Sequence, residues 1–210
     1  MLEKIYSLLL ARHGDLGWWP AKTPYEVMVG AVLTQNTSWT NVEKAIENFG
    51  ENLTPSFVQN VDLEELKKII NPAGFFNQKA VYLKQMTQWF AKYDFSVEAV
   101  RCRSLEDTRY ELLSTKGIGK ETADSILLYA IGFPTFVIDA YTARLCERFS
   151  LPAGKGYDAL KNYFESNLPL SEKMFNNFHA LIVINAKDYC RKRNPLCDTC
   201  PLANDCEKNI

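Results

Sequence analysis

Apolar side chains recur at helical spacing along almost the whole chain, and no stretch alternates with period two between turn residues, which restricts the sequence to an all-α fold. The helix starts can be named. Thr23-Pro24-Tyr25-Glu26 reads as an N-cap, a proline at the first helical position and a capping-box glutamate, ahead of the apolar run Val27–Leu33. Asp62-Leu63-Glu64-Glu65 and Ser104-Leu105-Glu106-Asp107 begin two more helices. The first of these carries Leu63, Leu66, Ile69 and Ile70 on one face until Asn71-Pro72 ends it. Val42, Ala45, Ile46 and Phe49 keep the i, i+3, i+4, i+7 pattern, as do Ala80, Leu83 and Phe90 with their neighbours. Further helices are expected around Lys120–Ile131, Ala140–Phe149, Tyr157–Ser166 and Ser171–Cys190. No repeat, low-complexity run or flexible linker marks a domain boundary.

With 210 residues, 47% of them hydrophobic, the chain can bury the core of one large domain or of two small ones packed together. The leucine run near the N-terminus is too short for a signal-peptide core and no apolar stretch reaches spanning length, so a cytoplasmic address is expected. A formal net charge of −1, spread evenly along the chain, gives no global attraction to nucleic acid. Any DNA contact must therefore come from a local patch or from backbone groups.

Four of the six cysteines crowd into the last 21 residues, and no export signal favours disulfides. Cys190, Cys197, Cys200 and Cys206 have the spacing C-x6-C-x2-C-x5-C. Four thiolates so close in sequence would repel one another unless a metal neutralised them, and the spacing alone suits structural zinc as well as an iron–sulfur cluster. Cys102 and Cys146 stand alone and read as small buried hydrophobes. Lys187, Arg191, Lys192 and Arg193 adjoin the cysteine run, either as a solvated basic face or as a phosphate-contacting patch.

Between two helical segments lies Ser114-Thr115-Lys116-Gly117-Ile118-Gly119-Lys120-Glu121-Thr122-Ala123-Asp124. Two glycines two apart let the backbone turn tightly, and the first amides of the following helix point outward as an anion cradle that a DNA phosphate could occupy. An ordinary helix–helix turn with a C-cap glycine is the plainer alternative. Downstream, Gly132-Phe133-Pro134-Thr135-Phe136-Val137-Ile138-Asp139 leads into the next helix, where Asp139 suits an N-cap.

Taken together, the hairpin, the Gly/Pro loop and the aspartate resemble the signature of the helix-hairpin-helix DNA glycosylase superfamily, in its endonuclease III-like branch. The resemblance implies that Lys116, Gly117, Gly119 and Lys120 bind DNA phosphate with Arg191, Lys192 and Arg193. It makes Asp139 the catalytic carboxylate, a role compatible with capping, and it selects a 4Fe–4S cluster as the ligand of Cys190, Cys197, Cys200 and Cys206. In the bifunctional pattern a lysine after the hairpin attacks the sugar. This chain has Glu121 in that slot and Lys120 one position early, rotated by about 100° along a helix. The departure implies a monofunctional enzyme, in which Asp139 stabilises an oxocarbenium-like sugar or activates water.

Trp18-Trp19-Pro20, the segment Gly30–Thr37, Gly74-Phe75-Phe76-Asn77-Gln78-Lys79-Ala80 and the hairpin resemble the endonuclease III-like 3-methyladenine DNA glycosylases. By that likeness Gln35 fills the space vacated by a flipped nucleotide, although Gln35 or Asn36 would also suit a polar interhelical turn. Trp18, Trp19 and Trp39 would surround the base, with Glu121 nearby; π-faces favour a cationic alkylated purine over a neutral base. The implied organisation is a six-helix domain at 23–134 and a second domain of residues 1–22 with 135–210, with double-stranded DNA bound in a groove between them by a monomer. Three other functions stay open: a glycosylase/lyase for oxidised pyrimidines, a mismatch-specific adenine or thymine glycosylase, and a non-enzymatic DNA-binding iron–sulfur module.

Overall fold

The structure, a computed structural model, describes residues 1–17 and 19–209. Among them are twelve α-helices and no strand. In chain order they are α1 (Leu2–His13), α2 (Pro24–Leu33), α3 (Trp39–Phe49), α4 (Pro55–Asn60), α5 (Leu63–Ile69) and α6 (Phe76–Ala91). There follow α7 (Val97–Arg101), α8 (Leu105–Ser114), α9 (Lys120–Ser125), α10 (Ala140–Arg148), α11 (Tyr157–Asn167) and α12 (Glu172–Asp188). No helix of the described residues is long and apolar enough to cross a membrane.

The chain divides into two compact units, Met1–Pro20 with Pro134–Ile210, and Ala21–Phe133. In the second unit α2 is buried on every side, as its nearly continuous apolar sequence requires, and it packs on α6, α9 and the turns that follow α9. Its start has the expected cap: Thr23 Oγ1 accepts the Glu26 amide at 3.1 Å, while the Glu26 carboxylate reaches the amide of Lys22. Ser104 and Asp62 likewise cap α8 and α5. The helix expected over Lys120–Ile131 changes character halfway, because residues Ile126–Ile131 form a π-helix. That widened turn buries Ile126, Leu127, Leu128 and Ile131 against α2 and ends at Gly132, where φ is +83° and an added Cβ would lie 2.5 Å from Arg101.

In the first unit α12 is the central helix, packed by α1 and α10. Phe136 anchors its core, stacked on Phe164 at 4.2 Å and edge-on to Phe175 and Phe178. Cys146 is buried there as expected, and burial pushes its thiol up to about 12. Cys102 corrects the expectation of a buried hydrophobe: it is exposed, because α7 spends its inward face on Val100 and Cys102 falls beyond it at the C-cap.

Candidate functional site

Asp139 is the N-cap of α10 and accepts the Thr142 amide on Oδ1 at 2.7 Å. Its Oδ2 lies 3.5 Å from Nε2 of His179 on α12, and the carboxylate side chain keeps 12% of its surface open. Burial is the largest single influence on this carboxyl and acts to raise its pKa. The charge and hydrogen bond of His179, with the amide and side chain of Thr142, together outweigh burial and hold the group below the usual carboxylate range. An ionised, partly open carboxylate results. It can stabilise a developing cation or polarise a water molecule.

The same helix reaches the cysteine loop one and two turns further on. Arg144 Nε donates to the Cys190 carbonyl at 2.8 Å. Arg148, buried, donates from Nη1 to Cys190 Sγ at 3.0 Å and from Nη2 to the Arg191 carbonyl at 2.9 Å. Cys190, Cys197, Cys200 and Cys206 all line one cavity with Arg148, Asn185 and Tyr189. Burial pushes up the thiols of Cys200 and Cys206, and their fellow cysteines add to the rise, as the mutual repulsion of four anions requires. Among the described residues no three His, Cys, Asp or Glu side chains are gathered tightly enough to hold a single metal ion. The four thiols line this cavity beside the buried guanidinium of Arg148. Arg191, Lys192 and Arg193 follow Cys190 and are exposed.

In the other unit, α8, the turn Thr115–Gly119 and α9 form the hairpin. Arg109 grips Asp124 through two bonds of 2.7 and 3.0 Å, and the Asp124 side chain is fully buried, which ties the two hairpin helices together. The two glycines have different reasons to be there. Gly117 has φ +88°, and a Cβ there would sit 2.1 Å from the Tyr82 ring. Gly119 has ordinary φ, caps α9 and faces nothing within 4 Å, so its space is open to an incoming group. Lys116, Lys120 and Glu121 are exposed beside it.

Gln35 is brought onto this hairpin: its Nε2 donates to the Gly117 carbonyl at 3.0 Å and to Thr122 Oγ1 at 2.9 Å. Trp39 opens α3 half-buried, its indole N–H donating to Glu43 at 2.8 Å. Trp19 belongs to the unit of Asp139 and is half-buried, and Trp18 lies outside the described residues. The structure therefore joins Gln35 to the hairpin, and joins Asp139 through α10 to the cysteine loop.

Three residues beyond the sequence reading stand out. His179 had no signal, being a lone histidine within an apolar helix. Phe75 is 64% exposed at the N-cap of α6 with φ +47°, a left-handed conformation rare for an aromatic residue. The adjacent pair Phe75-Phe76 before a helix start was the available hint, since one of two neighbours on a helix must face outward. Lys79, also on α6, is buried at 2% exposure.

The chain is thus all-helical, with a glycine hairpin in one unit and, in the other, an N-capping aspartate and four cysteines on one cavity. Comparison with known proteins places it in a family. Residues 29–170 match the model of the HhH-GPD superfamily of base excision DNA repair proteins, and the chain belongs to that family. It is 48% identical to a Methanocaldococcus jannaschii protein assigned as a DNA repair glycosylase, over 98% of this chain and 96% of that one. It is 29% identical to the H. pylori 3-methyladenine DNA glycosylase in its crystal structure with 1,N6-ethenoadenine, with a TM-score of 0.76 over 89% of this chain and 95% of that one. The fold is also that of endonuclease III in a non-covalent complex with DNA, at a TM-score of 0.81 and 21% identity over 99% of this chain and 96% of that one.

Proposed function

We propose that this chain is a monofunctional DNA glycosylase that flips an alkylated purine such as 3-methyladenine out of duplex DNA and hydrolyses its N-glycosidic bond. The observation that carries the proposal is Asp139, kept ionised by His179 and Thr142 yet partly open. A carboxylate in that state supplies what an oxocarbenium-like sugar needs, and an N-alkylated purine needs little more because its bond is already weakened by positive charge. Glu121 in the slot where a lyase would carry its lysine supports the monofunctional reading. The likeness to a glycosylase solved with 1,N6-ethenoadenine supports the substrate class.

The remaining residues take these parts. Trp18, Trp19 and Trp39 stack on the extruded base and Glu121 complements its charge. Gln35 fills the gap in the stack, and exposed Phe75 on the turn beside it acts as an apolar wedge. Lys116, Gly117, Gly119 and Lys120 hold one stretch of phosphates through backbone amides and charge, and Arg191, Lys192 and Arg193 hold another. Cys190, Cys197, Cys200 and Cys206 would hold a 4Fe–4S cluster, which supplies a structural anchor for its loop; the buried Arg148 balances its charge. The protein acts as a monomer on double-stranded DNA carrying a damaged base.

The test is direct. The purified protein, incubated with methylated DNA, is expected to release 3-methyladenine, identified by chromatography. Borohydride should trap no covalent adduct on a lesion-containing duplex; an adduct that vanishes in Lys120→Ala would replace this reading with that of a glycosylase/lyase. Should Asp139→Asn release base as fast as the parent, Asp139 is not the catalytic carboxylate; a parent that binds duplex and releases no base is a binding module.

A further inference from the structure

One buried ammonium joins the two turns that carry Gln35 and Phe75. Lys79 Nζ donates to the Leu33 carbonyl at 2.8 Å, to Thr37 Oγ1 at 2.6 Å and to the Ala73 carbonyl at 2.8 Å. An ammonium has three donors, and here each meets an acceptor. Leu33 and Thr37 bracket the turn that presents Gln35 and Asn36, and Asn36 itself has φ +52°. Ala73 closes the 3-10 turn Asn71–Ala73, immediately before Gly74 and Phe75, which both have positive φ. Thr37 Oγ1 also donates to the Ala73 carbonyl, at 2.5 Å, so the two turns meet directly as well as through Lys79. The Phe75 ring lies 6.0 Å from the same ammonium.

This is costly chemistry for a purely structural purpose. A charge buried without a carboxylate carries a desolvation penalty that an apolar side chain of the same length would avoid. An exposed aromatic in the left-handed region adds backbone strain, which persists only where its surroundings over-determine it. Both costs fall at the same knot.

We propose that Lys79 is a positioning residue that fixes the spacing of the Gln35 turn and the Phe75 turn, so that plug and wedge enter the duplex as one rigid unit. The inference rests on the roles given to those two side chains above. It predicts that Lys79 governs discrimination between distorted and intact DNA while leaving general DNA affinity alone, because the phosphate contacts lie elsewhere.

The probe is a duplex bearing a tetrahydrofuran abasic analogue beside 2-aminopurine, whose fluorescence reports unstacking, compared with the intact duplex. The parent protein should prefer the abasic duplex and brighten the probe. Lys79→Met, checked for fold by circular dichroism, should lose about tenfold of that preference, the worth of a hydrogen bond to a charged group. Its affinity for the intact duplex should stay within about twofold, since phosphate contacts set it. Thr37→Val cuts the direct link and one acceptor, and is expected to lose preference in the same direction by a smaller factor; Thr37→Ser should restore it. If Lys79→Met does not fold, the two Thr37 variants decide.

Undiminished preference and fluorescence in both Lys79→Met and Thr37→Val would overturn the positioning role and leave the proposed function standing. A parallel loss on both duplexes would overturn it too, by showing general loosening. A parent protein with no preference for the abasic duplex would instead remove the plug-and-wedge reading, and the pin with it.

Discussion

The region around Asp139 and the region around the hairpin use charge in opposite ways. At Asp139 and the cysteine loop charge is set by polar partners around partly open groups: a carboxylate held by His179, and thiols beside the buried guanidinium of Arg148. In the hairpin unit the charges are internal braces. Arg109 and Asp124 clamp two helices and Lys79 pins two turns, while Gly119 leaves open space between the exposed side chains of Lys116, Lys120 and Glu121. Altering Asp139 should therefore abolish an activity and spare the fold, and altering a brace in the second region should loosen geometry and leave the chemistry in place.

The largest effect expected is at Asp139. Asparagine caps helices about as well as aspartate, so Asp139→Asn should keep the fold and lose only the stability that the lowered carboxyl pKa supplies at neutral pH. Base release in single-turnover assays should nonetheless fall by about 10² to 10⁴, the range for removing one positioned catalytic group. A large loss of stability with little loss of rate would break the contrast, because Asp139 would then be a brace.

Next comes the cysteine loop. Cys197→Ser should abolish the visible absorption of a thiolate-bound cluster and render residues 190–206 sensitive to protease, at a cost of about 3 kcal/mol or more. A variant with unchanged absorption would contradict the ligand set.

The hairpin glycines sharpen the contrast within one turn. Gly117→Ala must place a methyl group against the Tyr82 ring at φ +88°, and should lose roughly 2–3 kcal/mol in urea unfolding. Gly119→Ala meets no protein atom and should change stability by less than about 0.5 kcal/mol, yet weaken duplex binding by about fivefold if a phosphate takes that space. Equal stability losses at the two positions would mean that Gly119 is also a folding residue.

How much of this was legible in the sequence follows the same division. The caps at Thr23, Asp62 and Ser104 and the boundaries of α10, α11 and α12 are local events, decided by a side chain and the amides two or three residues on, and they could be read. The short helices α4 and α7 carry too few apolar positions to show a period, and the π-widened turn after α9 arises from packing on α2, which no local pattern records. The glycine pair and the crowded cysteines stand out by spacing, whereas Asp139 stands out only through the family resemblance, its own sequence context indicating an N-cap. His179 and Lys79 were not, because their roles come from partners 40 and 46 residues away, Asp139 and the Leu33 carbonyl.

Lys79 offers the most discriminating test, since it is a charge serving as a brace. Burial lowers its pKa from the ordinary 10.5 to about 8. Between those two values the unfolded chain still holds a proton that the folded chain has shed, so folding stability rises with pH across that window, and below about 8 this contribution to the slope vanishes because both states are protonated. Lys84, also lowered by burial, and the raised cysteine thiols and Tyr93 titrate at alkaline pH as well, so the measurement is the difference between parent and Lys79→Met in urea unfolding. That difference should move in the parent's favour as pH rises from about 8 towards 10.5, and parallel curves would show that Lys79 does not titrate there. Discrimination between abasic and intact duplex should move the other way, because a neutral amine has two protons for three acceptors. A brace that grows cheaper for the fold as it grows weaker for the two turns would separate positioning from stability within a single side chain.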